Sequence, residues 1–135
     1  MKTLAFRLKP GQLLKEELER RMINADIKAG VLLSIVGALK QPNLRMAGAT
    51  PESQEIKKFE GTYEIVSGTG TFSPDGCHIH LSISGKDGNV FGGHLKDGCI
   101  VDLTVEVVIG IIDNKEFSRK LDKETGFEEL EILEL

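Results

Sequence analysis

Cysteine is scarce in this chain, and its two cysteines are far apart. Cys77 and Cys99 form no C-x-x-C pair, so a redox function has little support. The N-terminal stretch 1–7 alternates polar and apolar residues and lacks the long apolar run of a secretory signal or a membrane anchor. The sequence therefore predicts a cytoplasmic protein in which both cysteines are reduced thiols.

An excess of basic residues is also missing. The chain has 17 Lys and Arg against 21 Asp and Glu, a formal net charge of -4, and a pI of about 5.4. Nonspecific affinity for nucleic acids comes from cations that neutralise phosphates. Basic pairs such as Lys57-Lys58 and Arg119-Lys120 are usually solvated surface, and the glutamate-rich stretch Glu128–Leu135 would repel a phosphate backbone.

The common sequence signatures of catalysis do not occur. There is no H-E-x-x-H helix, G-x-S-x-G elbow, P-loop or dinucleotide fingerprint. What the chain does have is an ordinary globular composition, with 40% hydrophobic and 28% charged residues among 135. We therefore predict a single domain over residues 1–135, with a core at about 3–120 and an acidic C-terminal segment at 121–135.

The hydrophobic pattern predicts strands and one amphipathic helix. Leu4–Leu8 alternates as a half-buried strand does, and Gln12 to about Ile23 carries the apolar stripe of a helix. The nearly continuous apolar run Ala29–Gly37 predicts a central strand buried on both faces. Between Val101 and Ile111 every odd position is Val, Leu or Ile, which predicts the longest strand. Its end past Glu106 is apolar on both sides, and a partner subunit could cover it.

Shorter signals fill the middle of the chain. Two proline residues and several small polar residues predict that residues 41–55 are mostly loop. Strand-like runs follow at 59–66 and 70–72, and Ser73-Pro74-Asp75-Gly76 has the chemistry of a tight turn.

All three histidines of the chain fall between positions 78 and 94, in Cys77-His78-Ile79-His80 and Gly92-Gly93-His94. Side chains alternate across a strand. His78 and His80 are therefore predicted to project from the face opposite to their aliphatic neighbours, which are Ile79, Leu81 and Ile83.

The turn after this strand decides where His94 lies. If residues 86–88 form a three-residue loop with Gly88 in the left-handed conformation, His80 sits directly opposite His94. A two-residue turn at 87–88 would place His80 opposite Leu95 and move His94 to the aliphatic face. That register mixes the two faces, so we favour the first. The favoured register also pairs Gly85 with Asn89, Ile83 with Phe91, Leu81 with Gly93 and Ile79 with Leu95.

The predicted register brings three imidazoles together. Directly opposed Cβ atoms lie about 4.5–5.5 Å apart and diagonal ones about 7–8 Å, which suits imidazoles that converge on one ion at roughly 2.0–2.1 Å. We predict that His78, His80 and His94 bind one metal ion per chain, with zinc as the leading candidate. Water, a carboxylate or a residue of another subunit would complete the site. Cys77 is predicted to be a small core residue, and the simpler alternative is that the histidines only decorate a solvent-exposed face.

An ordered set of segments resembles a known family. The segments are Phe6-Arg7-Leu8-Lys9-Pro10-Gly11 before a helix, Ser34-Ile35-Val36-Gly37-Ala38-Leu39, Tyr63-Glu64-Ile65-Val66-Ser67-Gly68-Thr69-Gly70, and Asp87-Gly88-Asn89-Val90-Phe91-Gly92-Gly93-His94-Leu95. Together they look like the PPC domain, also called DUF296, which prokaryotes have as a stand-alone protein and plants have beside AT-hooks. The resemblance covers roughly positions 3 to 120.

The resemblance implies an α/β fold of the α+β type, with a mostly antiparallel sheet or partial barrel flanked by helices. It also implies a homotrimer and, in the prokaryotic branch, a histidine-rich site for a metal such as zinc, whose matching positions here are His78, His80 and His94. Members are commonly labelled DNA-binding because plant relatives bind AT-rich DNA through AT-hooks. This chain has no Arg-Gly-Arg core and no basic tail, so the residues that carry that activity are missing.

Two hypotheses for the function follow. The first is a homotrimeric, metal-binding interaction module that associates with DNA or with a transcription-related protein. The second is a zinc-dependent enzyme of the hydrolase type, in which an open metal position lowers the pKa of a bound water to about 7. In the enzyme, His78, His80 and His94 would be ligands, and Glu64 or Glu106 would be the general base.

Overall fold

Ten strands and one helix make up the protein in a computed structural model that describes residues 1–135. In chain order they are β1 (Lys2–Leu8), α1 (Leu14–Asn24), β2 (Gly30–Lys40), β3 (Asn43–Arg45), β4 (Ile56–Lys58), β5 (Thr62–Ser73), β6 (Gly76–Ser84), β7 (Val90–Leu95), β8 (Ile100–Ile111), β9 (Lys115–Leu121) and β10 (Glu128–Glu134).

Eight of these strands form one sheet in the order β1-β8-β2-β5-β6-β7-β3-β4, and β9 and β10 form a separate hairpin. Every pairing is antiparallel. The sheet is open, since β1 and β4 each have a partner on one side only. The predicted mostly antiparallel α+β fold is confirmed, although a single helix flanks the sheet instead of several.

The hydrophobic core lies on the helix side of the sheet. It is one cluster of 21 buried residues, to which α1 contributes Leu14, Leu18 and Met22. Burial of one such side chain stabilises the fold by about 1.5–3 kcal/mol relative to its exposure. This helix is 11 residues long, and the structure contains no helix with the length and hydrophobicity needed to span a bilayer.

The strand β2 is central, as its apolar run predicts, but it is buried on one face only. It lies between β8 and β5, and Leu32 and Ile35 are each 6% exposed on the core side. Leu33 and Val36 are 50% and 52% exposed. The prediction of burial on both faces is therefore wrong within one chain, because no second layer covers the outer face of the sheet.

A bulge interrupts the predicted alternation of β8. The pairing with β2 shifts between Gly37 and Ala38, and Leu103 has a φ of 64° and is 70% exposed. A Cβ at Gly37, whose φ is 150°, would lie 2.0 Å from the Thr104 carbonyl oxygen, so only glycine lets β2 pass this bulge. Leu103 is thus outside the core, whereas Val101, Val105, Val107 and Ile109 are buried.

The strand β5 joins the two short runs predicted at 59–66 and 70–72, and its 12 residues equal the length of β8. It passes close to β6, since a Cβ at Gly70 would lie 2.1 Å from the His78 carbonyl oxygen. The turn predicted at Ser73-Pro74-Asp75-Gly76 connects the two strands. Within the predicted loop 41–55, residues Asn43–Arg45 form the short strand β3.

Candidate metal centre

The hairpin of β6 and β7 has the three-residue loop that the sequence predicts. Gly88 has a φ of 80° and donates its N–H to the Gly85 carbonyl at 3.0 Å, while the Gly85 N–H donates to the Asn89 carbonyl at 3.3 Å. The two-residue alternative is therefore excluded, and His80 pairs with His94 as predicted.

The rest of the ladder follows the same register up to its end. Ile83 pairs with Phe91 and Leu81 with Gly93, as predicted. The ladder ends at the His80–His94 pair, so the predicted pairing of Ile79 with Leu95 does not form. On the other side of β7, Leu95 pairs with Leu44 of β3.

The three histidines lie together on the face opposite to the core. Ile79, Leu81 and Ile83 are buried on the other side, at 0–2% exposure, which confirms the predicted alternation. One ring nitrogen of each histidine lies within 4.8 Å of the others, and the His78 and His80 Nε2 atoms are 3.2 Å apart. The ring of His94 stacks on that of His78, with centroids 4.7 Å apart and an interplanar angle of 28°.

This spacing suits a tetrahedral ion. Two nitrogens bound to one tetrahedral zinc at 2.0–2.1 Å lie about 3.3 Å apart, close to the 3.2 Å between the Nε2 atoms of His78 and His80. All three ring nitrogens lie within 4.8 Å of one another, so the nitrogen of His94 must approach the other two for one tetrahedral ion to be shared. The donor set therefore fits zinc, with at least one coordination position left for another ligand.

The electrostatics favour neutral imidazoles, which is the form that binds a metal. Burial, the Arg45 guanidinium and His78 lower the pKa of His94 to about 3. Burial, Arg119 and His80 also lower the pKa of His78 below its ordinary value. Protons therefore do not compete for these two side chains near neutral pH.

Arg45 contacts the site directly. One of its terminal nitrogens lies 3.3 Å from the His94 Nδ1, and its guanidinium stacks on the Phe127 ring at 5.3 Å. A guanidinium can only donate hydrogen bonds, so this contact makes Nδ1 the acceptor and leaves the ring proton on Nε2.

A cleft of about 510 Å³ lies beside His78 and His94. The hairpin of β9 and β10 forms one of its walls, where Phe127 and Glu129 line it. The other charged residues of the lining are Lys15, Glu19, Arg45, Asp75, Lys96, Arg119 and Glu128. His80 faces a separate shallow pocket of β5 and β6, together with Thr69 and Thr71.

The two glutamates predicted as general bases are not at this cleft. Glu64 pairs with Ser84, at the end of β6 away from the histidines, and Glu106 of β8 pairs with Arg7 and Val36. The carboxylate that does lie near is Glu129, which raises the pKa of His78 against the larger effects that lower it.

Both cysteines are free thiols, as predicted. Cys77 packs against the hydrophobic core and lies outside the histidine cluster. Burial raises the pKa of the Cys77 thiol to about 12. Because Cys77 is not among the residues whose ligand atoms lie together, it is not a fourth ligand in this arrangement.

The charged residues around the histidines were not predicted as part of the site, for different reasons. Lys96 follows His94 by two positions, so strand alternation could have found it. Arg45 pairs with His94 across β3 and β7, a contact over 49 positions that no local pattern reveals. In the sequence, Arg119 has only the pattern of a basic surface pair, and Glu129 has only that of an acidic stretch.

A family model described as the Plants and Prokaryotes Conserved (PCC) domain matches residues 1–113. The Bifunctional protein GlmU of a Synechococcus strain is 39% identical over 132 residues, which are 98% of this chain and 20% of that protein. The chain thus spans about a fifth of the length of the curated relatives it matches.

Solved structures have the same fold. A protein of Salmonella enterica is 33% identical with a TM-score of 0.91, and the match covers 98% of this chain and 94% of that one. A metal-containing protein of Archaeoglobus fulgidus is 27% identical with a TM-score of 0.82, and the match covers 100% of this chain and 94% of that one.

Proposed function

This chain belongs to the Plants and Prokaryotes Conserved (PCC) domain family, and we propose that it is a homotrimeric, zinc-binding interaction module of that family. The observation that carries the proposal is the cluster of His78, His80 and His94, whose ring nitrogens lie within 4.8 Å of one another. A relative of the same fold from Archaeoglobus fulgidus is a metal-containing protein, which supports a metal here. The free thiols of Cys77 and Cys99 support a cytoplasmic location.

Zinc is proposed because the donor set is imidazole and the Nε2 atoms of His78 and His80, 3.2 Å apart, have the spacing of a tetrahedral site. The chain's own part is to hold two imidazoles on β6 and one on β7 in a fixed register. Bound there, zinc would act as a Lewis acid toward whatever occupies its remaining position.

Elemental analysis of protein purified without a His-tag tests the metal. We expect about one zinc per chain in the wild type and its loss in His80→Ala. Ser82→Ala is the matched control, because Ser82 lies on the same strand two positions away. A metal-free wild type, or His80→Ala with unchanged zinc, would refute the site.

The homotrimer is proposed from the outer face of the sheet. Leu33 and Val36 are about half exposed there, and Val36 and Val108 line an apolar groove with Phe6. The end of β8 past Glu106 is apolar on both faces, and residues of the same chain bury only one of these faces. A second and a third copy would bury this surface, in keeping with the family resemblance.

Association with DNA or with a transcription-related protein is the second part of the proposal, and its support is the family resemblance. The net charge of -4 and the exposed Glu128 at the cleft would repel phosphates, so any contact with DNA would be small. Titration with a DNA duplex at two salt concentrations decides between the partners. Absence of binding at low salt removes DNA, whereas steep, sequence-blind salt dependence indicates only a phosphate-binding patch.

A zinc-dependent hydrolase is the second candidate function, and the cleft is the observation that favours it. The predicted ligands His78 and His94 line a space of about 510 Å³, so a substrate could reach the metal. Glu129 is the carboxylate near His78 and takes the general-base position that we had expected of Glu64 or Glu106. Hydrolytic turnover that disappears both in His80→Ala and in Glu129→Gln would support the enzyme over the module.

A further inference from the structure

Three basic side chains line the cleft without an acidic partner. Arg45, Lys96 and Arg119 all face the same space as His78 and His94. None of the three takes part in an ion pair within 4.0 Å. Cations that lie near one another without a direct ion-pair partner repel one another, so the part of the cleft that these three line favours an anion.

The four carboxylates of the cleft keep their negative charge, but none of them forms an ion pair with Arg45, Lys96 or Arg119. Three of them accept hydrogen bonds from other groups, and Glu128 is exposed. The engaged pairs are Glu19 with the Lys15 ammonium and the Cys77 N–H, Asp75 with the Arg119 backbone N–H, and Glu129 with the Thr125 hydroxyl.

The contact between Arg45 and His94 cannot persist when His94 binds a metal. The guanidinium donates to Nδ1. A metal on Nδ1 would take the lone pair that accepts this bond, and a metal on Nε2 would move the ring proton to Nδ1. Either way the guanidinium loses its acceptor, and its N–H donors are left free to bind another acceptor in the cleft.

We propose that the cleft binds a small phosphate-class anion beside the histidines, held by Arg45 and Lys96 with Arg119 at its side. The proposal deepens the function above, because it rests on the same site and names the class of ligand. A planar guanidinium donates two parallel hydrogen bonds to phosphate oxygens, and the ammonium adds a point charge. A volume of about 510 Å³ is within the range of small-molecule sites. Its position under the β9–β10 hairpin favours a free phosphate or phosphate monoester over the backbone of a nucleic acid.

Titration of inorganic phosphate into the full chain, followed by backbone amide chemical shifts, tests the proposal. The titration is done once on chelator-treated protein and once on zinc-loaded protein, at constant ionic strength. We expect saturable shifts at the cleft in both forms, with tighter binding when zinc is present. Arg45→Met and Lys96→Met should each weaken binding by about tenfold or more. The controls Arg7→Met and Lys86→Met remove exposed cations elsewhere and should bind as the wild type does.

The outcomes of this titration distinguish the proposed anion site from the proposed metal site. No saturable shift in either form, or Arg45→Met and Lys96→Met binding as the wild type, would overturn the anion site. Zinc found by elemental analysis in that same sample would leave the metal site intact. Phosphate binding in protein that takes up no zinc would support the anion site and refute the metal. A DNA duplex that displaces phosphate would contradict the small-anion proposal and indicate a phosphodiester instead.

Discussion

His94 is the residue on which the properties of the site depend most. It pairs with His80 across the hairpin, stacks on His78 and contacts Arg45 at 3.3 Å. Burial and Arg45 lower its pKa to about 3, so the imidazole remains neutral and available to a metal over the whole physiological range. A histidine of ordinary pKa would lose this availability below about pH 6.5.

The lowered pKa of His94 predicts a pH dependence of stability. Between its folded value of about 3 and the unfolded value of about 6.5, the unfolded chain binds more protons than the folded one. The free energy of unfolding therefore falls as the pH is lowered through this window. In chelator-treated protein, His94→Gln should reduce the loss between about pH 7 and pH 5, because one of the two shifted groups is gone. Urea denaturation at several pH values measures this, with Ser82→Ala as control, and an unchanged slope in His94→Gln would contradict it.

Single residues were predictable where strand alternation governs them. The placement of His78, His80 and His94 on one face needs only the period of two and the loop at Gly88. Arg45 was not predictable, because its contact with His94 depends on pairing between β3 and β7, and three residues of strand give no periodic signal.

At the scale of elements, the hairpin of β6 and β7 is held in place by its close approach to β5. Thr69 and Thr71 of β5 pair with His80 and His78, and Gly70 between them leaves no room for a side chain. This close contact between β5 and β6 holds His78 and His80 side by side on the outer face, while Ile79 between them is buried in the core with 0% exposure.

Gly70→Ala tests this contact. Its Cβ would lie 2.1 Å from the His78 carbonyl oxygen and 2.8 Å from Ile79, so β5 and β6 must move apart. We expect a loss of about 1–3 kcal/mol in the free energy of unfolding, together with weaker metal binding. Gly85→Ala is the control, since its nearest neighbour is the movable ring of Tyr63 at 3.3 Å. Equal stability of the two variants in urea denaturation would show that the close approach is unimportant.

Elements with a strong period were predicted, and those shaped by distant contacts were not. The strands β1 and β8 and the helix α1 could be predicted from the pattern of their own residues. The bulge at Leu103 could not be predicted, because it depends on where β8 meets Gly37 of β2. The hairpin of β9 and β10 was also missed, since its acidic residues indicated only a polar segment. Its strand Glu128–Glu134 is stabilised by pairing with Lys115–Leu121.

The whole molecule has two unlike surfaces. The outer face of β1, β8 and β2 is apolar around Leu33, Val36 and Val108, while the cleft beside the histidines is lined mainly by charged and polar residues. The first suits copies of the same chain, and the second suits a small polar ligand. Neither surface provides the extended basic stripe of a typical nucleic-acid interface.

Val36→Glu tests the proposed trimer. A glutamate on the half-exposed apolar face would be buried without a partner in an assembly, and it would be solvated in a monomer. We expect sedimentation of the wild type as three chains of 14.8 kDa and dissociation of Val36→Glu into single chains. Leu121→Glu, at a site 69% exposed on β9, should leave the assembly unchanged. A wild type that sediments as one chain at all concentrations would contradict the trimer.

X-ray absorption at the zinc edge of untagged wild-type protein tests the central claim most directly. The account predicts bound zinc with three imidazole nitrogens at about 2.0–2.1 Å, and a light atom in the remaining position. The absence of zinc, or a sulfur neighbour at about 2.3 Å, would contradict a site built from His78, His80 and His94 alone.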